Sequence, residues 1–96
     1  MDIELNRELV AVAEYVQTLI NLEYERIDSK AKLKGAFDQL GLRNGAEVVK
    51  DYLEHGEVGI AWEHLLYMVK ETNVQLSEDY LKRLSSLAKT LNTKLH

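Results

Sequence analysis

The hydrophobic positions recur with a helical period through most of the chain. From Asp2 to about Tyr24, Leu5, Leu9, Val12, Val16, Leu19 and Ile20 are spaced by three, four or one, which makes one stripe on a long amphipathic helix. A shorter helix is predicted from Ser29, a cap residue, to Leu40, with Leu33, Ala36, Phe37 and Leu40 on one side and Gly41 free for the left-handed turn beyond its end. Asn44 with Glu47 three residues later has the logic of a capping box, and opens a third helix ending near His55 and Gly56, with Val48, Val49, Tyr52 and Leu53 inward. Glu57 to Glu71 puts Val58, Ala61, Trp62, Leu65, Leu66, Met68 and Val69 on an apolar arc broad enough for the packing hub. A last helix starts after Ser77, its acidic residues Glu78 and Asp79 suit the dipole, and Tyr80, Leu81, Leu84, Leu87, Ala88 and Leu91 face inward; beyond Asn92 it should fray. No segment alternates as a strand does. The reading is an all-α fold: one domain over residues 1–96, a compact bundle of about five helices.

Composition narrows the chemistry more than the fold. There is no cysteine, which removes disulfides and thiolate metal sites, and no proline to interrupt the helices. Met1 to Val10 lacks the basic start and apolar run of a signal peptide, and no stretch approaches the length of a membrane span, so a cytoplasmic location is expected. A net charge of −4 disfavours direct binding to nucleic acid or an anionic membrane and favours a basic partner. The acid is segmental: residues 1–28 balance at −5 and 47–79 at −6, while 29–46 and 80–96 are basic.

Candidates for catalysis are few. His55 and His64 are nine residues apart on different predicted helices, so they form no paired metal-ligand motif, and the spacing Gly56 to Gly59 follows no strand and precedes no phosphate-binding lysine. Those glycines are read as the turn between two helices, and His55 as a complement to the negative end of its helix. No catalytic residue, metal ligand or cofactor site is therefore expected, and the protein is read as a non-enzyme.

One stretch carries a family pattern: Leu40-Gly41-Leu42, Asp51-Tyr52-Leu53-Glu54-His55-Gly56-Glu57, Gly59-Ile60-Ala61-Trp62-Glu63-His64-Leu65-Leu66-Tyr67, then Leu76-Ser77 and the helix from Tyr80 to Ala88. Over residues 40–91 the chain resembles the MafI-type immunity proteins, helical antidotes encoded beside polymorphic or contact-dependent bacterial toxins. The first 39 residues share only helical character with them. The resemblance implies a stoichiometric inhibitor without catalytic activity, whose partner is a cognate toxin domain, commonly a nuclease. It assigns no contact residues.

Charge and exposure nominate two candidate docking faces. Glu47, Asp51 and Glu54 share one side of the third helix, with Glu57 just beyond it, and would steer a basic partner. On the fourth, Ile60, Glu63, His64, Tyr67 and Glu71 lie away from the apolar arc, an aromatic among carboxylates as in an interface anchor. The competing class is a helical signalling or adaptor domain in which His64 accepts phosphate, although the residues after it lack the lysine and glycine usual there. An acidic nucleic-acid mimic is a third.

Overall fold

A computed structural model describes residues 3–26, 44–72 and 74–95, with side chains for 3–23, 44–72 and 74–92. Among the described residues there are four helices and no strand: α1 (Ile3–Arg26), α2 (Gly45–Glu54), α3 (Val58–Thr72) and α4 (Glu78–Leu95). The all-α expectation holds, and these helices correspond to four of the five predicted. The other, Ser29 to Leu40, lies outside the described residues.

The α1 stripe is buried as its spacing demands. Leu5, Leu9, Val12, Val16 and Ile20 are enclosed, Leu19 is half-buried, and Ala13 joins the core. Ala46, Val49 and Leu53 of α2, Ala61, Leu65 and Met68 of α3, and Leu87 and Leu91 of α4 complete the core.

The helix ends follow local chemistry, with one correction. Ser77 caps α4: its Oγ accepts the Tyr80 amide at 3.3 Å. The Asn44–Glu47 capping box does not form, for Asn44 sits at φ −123°, ψ 30° and its side chain makes no cap hydrogen bond. The Gln17 side chain does that work from another helix, its Oε1 accepting the Ala46 amide at 2.9 Å. At the other end of α2 the Gly56 amide bonds to the Leu53 carbonyl and the Glu57 amide to the Tyr52 carbonyl, with Gly56 at φ +73°. This is the glycine-dependent turn that reverses the chain into α3.

The hub is α1, not α3. α2 and α3 form an adjacent helical pair, but α1 packs against all three other helices. α2 and α4 run antiparallel to it. Gln17 meets Ala46 and Glu14 meets Lys50, so α2 ascends as α1 descends. On the α4 side Tyr15 meets Ser77 and Tyr80, while Glu8 meets Arg83. The longest helix thus becomes a shared wall. Trp62, the middle of the predicted hub, is accordingly only half-buried against the core. α4 also buries less than expected: Leu81 is 50% exposed and Ala88 is exposed. Packing chiefly on one helix covers only the narrow stripe of Tyr80, Leu84, Leu87 and Leu91.

Candidate functional site

The acidic row of α2 is exposed along its length. Its three carboxylates, Glu47, Asp51 and Glu54, face solvent because Val49 and Leu53, on the opposite side, hold the helix to the core. Lys50, the one cation on α2, is engaged: its Nζ lies 3.0 Å from Glu14 and 3.8 Å from Glu47, and the Glu14 carboxylate holds its pKa above the usual lysine value. Asp51 and Glu54 therefore keep their charge directed outward. At the end of the row the His55 Nδ1 donates to the Asp51 carbonyl at 2.7 Å and stands 3.8 Å from its carboxylate. That carbonyl and the Asp51, Glu57 and Glu54 charges raise the imidazole pKa above its ordinary value. Glu57, also exposed, extends the acid into the turn before α3.

The second predicted face divides. Ile60, Glu63 and Glu71 are exposed as expected, Ile60 by 44%. Tyr67 is half-buried and packs on the core, and His64 is half-buried beside it, ring centroids 5.8 Å apart and tilted by 33°. The His64 Nε2 is closed off from solvent and has no hydrogen-bond partner among the described residues, and burial pushes the imidazole pKa down. Tyr67 is thus partly covered by the core rather than fully exposed. A helix flanked on both sides leaves only a strip of its circumference to solvent.

A further feature has no counterpart in the sequence reading. Between α1 and α2 lies an open groove of about 530 Å³. Its floor is apolar, made by Val10, Ala11 and Leu53; Arg7 and Glu14 stand on the α1 wall, Lys50 and Glu54 on the α2 wall. Ile3 is 64% exposed at its rim. Glu54 belongs both to this wall and to the acidic row. The spacing of Ile3, Arg7, Val10 and Glu14 at four, three and four was a second stripe on α1. Two charged members hid it.

Across α1 from this groove the α1–α4 seam is closed by a clamp. The Arg83 guanidinium donates to both oxygens of Glu8, Nε to Oε2 at 2.8 Å and Nη2 to Oε1 at 2.6 Å, and lies 4.5 Å from the centre of the Tyr80 ring. The paired donors hold the Glu8 carboxyl below its usual range and raise the guanidinium pKa. Tyr80 stacks on Tyr15, centroids 3.6 Å apart and planes within 3°.

Among the described residues no group of three or more histidines and carboxylates is placed to hold a metal ion. No described helix is long and apolar enough to cross a membrane. No family model matches the chain, and no curated protein or solved structure matches it either.

Proposed function

We propose that this protein is an immunity factor: a stoichiometric inhibitor that binds a basic toxin domain, commonly a nuclease, and occludes it. The observation that carries the reading is the outward row Glu47, Asp51 and Glu54, whose only helix-mate cation is tied to Glu14 and Glu47. Like charges three and four residues apart repel by a few tenths of a kcal/mol in a free helix. Facing a basic surface, the same row steers association and suppresses wrong partners. The MafI-type pattern over residues 40–91 supplies the class of partner, and it spans α2, α3 and most of α4.

The phosphotransfer reading of His64 is disfavoured by its surroundings. Of the two ring nitrogens that could take phosphate, Nε2 is enclosed, and the ring as a whole is half-buried.

The decisive experiment uses the toxin domain encoded beside this gene. Inhibition is expected to rise linearly with added protein and saturate at one equivalent, with a dissociation constant of about 1 nM or tighter. Sub-stoichiometric protection, or none, refutes the reading.

A further inference from the structure

The groove between α1 and α2 arises from a mismatch of helix lengths. α1, with 24 residues, is about 36 Å long and α2, with 10, about 15 Å. The pairs Gln17–Ala46 and Glu14–Lys50 fix their register, which brings Val10 and Ala11 level with the last turn of α2. There Gly56 turns the chain away. The first two turns of α1 therefore project past α2, and Ile3 is left exposed at the mouth while Leu53, 6% exposed, forms the floor. On the opposite side those same turns are held by Arg83, so they cannot swing over to fill the gap.

We infer that this groove receives the apolar ridge of a basic amphipathic helix carried by the protein's partner. The floor asks for aliphatic side chains at helical spacing, the mode in which a helix anchors in a groove through residues three, four and seven apart. The charge of the α2 wall fixes the rest. Glu54 lines the groove, Asp51 and Glu47 stand beside it, and Lys50 is already bound to Glu14 and Glu47, so the flank of the ligand above α2 must carry cations. The α1 wall offers Arg7 and accepts a carboxylate on the other flank. An anionic bilayer is repelled by the same carboxylates and cannot enter a concave cleft. The inference takes the identity of the partner from the immunity reading, whereas the chemistry of the groove stands apart from it.

The test uses the isotope-labelled full chain and a synthetic helix of leucine and lysine, about 18 residues long so that it is helical in water. A leucine–glutamate helix of the same pattern is the control. Resonances of Val10, Ala11 and Leu53 should shift with the leucine–lysine helix and not with the control. Ala11→Tyr, which fills the groove, should weaken binding about tenfold or more; Ile3→Ser, at an exposed site that cannot disturb the core, should weaken it several-fold. The proposal is overturned if the control binds equally, if the shifts map elsewhere, or if both variants retain wild-type affinity. It is equally overturned if the groove resonances move on diluting the protein alone, because the occupant is then a second copy, whose exposed Leu81 and Lys82 offer similar chemistry. A protein that binds the leucine–lysine helix in the groove yet fails to protect against the neighbouring toxin refutes the immunity reading and leaves the groove standing. Full inhibition of that toxin by a folded Ala11→Tyr variant strikes the groove alone.

Discussion

Gly45→Ala should destabilise this protein, although the same exchange stabilises most helices. Alanine in place of a helical glycine ordinarily gains about 0.5–1 kcal/mol from the smaller entropy of the unfolded chain. Here a β-carbon at Gly45 would stand 2.6 Å from both Sδ and Cε of Met68 and 2.9 Å from its Cγ. Those are far-end atoms of a flexible side chain, but Met68 is fully enclosed, so it has no free space to swing into. Overpacking of this kind costs about 1–3 kcal/mol. The net expectation is a loss of up to about 2.5 kcal/mol, and each kcal/mol lowers the thermal midpoint by about 4–8 °C in a domain of this size. Urea melts followed by helical circular dichroism would measure it. Met68→Ala should cost about 2–5 kcal/mol by itself, and in its background Gly45→Ala should recover its usual stabilising sign. A Gly45→Ala protein more stable than the wild type would refute the claim that α2 rests its first residue on Met68.

Three further outcomes follow from the same contacts. Because the folded pKa of Glu8 is lowered, its pairing with Arg83 stabilises above the ordinary glutamate range and is lost as the pH falls through the folded value; Arg83→Met should remove about 0.5–1 kcal/mol near neutrality, a figure discounted for partial exposure, and abolish that part of the acid dependence in melts against pH. The two central histidines should titrate on opposite sides of the ordinary imidazole value in proton NMR, His55 above and His64 below. Protonated His55 then contributes stability at low pH that disappears as the pH rises through its folded pKa, while His64 contributes above the ordinary value and loses its contribution on acidification; a shared titration midpoint would contradict both environments. Reversing Glu47 and Glu54 to lysine should slow association with the toxin domain and flatten its salt dependence in surface-binding kinetics while leaving the melting temperature nearly unchanged, since both are exposed.

What could be read from the chain was what a single helix decides for itself. The α1 stripe, the Ser77 cap and the turn at Gly56 depend on residues within a few positions of one another, and each is found where periodicity and side-chain chemistry put it. The misreadings concern the choice of neighbour. Asn44 looked like a cap, but Gln17, 29 positions from Ala46, supplies the acceptor. Trp62 looked central because its arc is broad, yet among the described helices it is the longest, α1, that packs firmly against the three others. The acidic row was legible, being one face of one helix. The groove was not, because it exists only once the register between α1 and α2 is fixed. Nor was the pairing of Glu8 with Arg83, 75 residues apart, visible among the chain's other possible ion pairs.

The stacked pair Tyr15–Tyr80 gives the molecule a second optical reporter. Trp62 senses the packing of α3 on the core, whereas two parallel phenol rings 3.6 Å apart sense the closure of α4 on α1. Rings so close couple their electronic transitions, and the coupling vanishes once the helices part. The part of the near-ultraviolet tyrosine dichroism that Tyr80→Leu removes and the tryptophan fluorescence therefore monitor different halves of one melt. Coincident curves would mean that the shared wall of α1 makes all four helices a single cooperative unit. An earlier tyrosine transition would identify α4 as a separately opening segment, released before the rest of the core gives way.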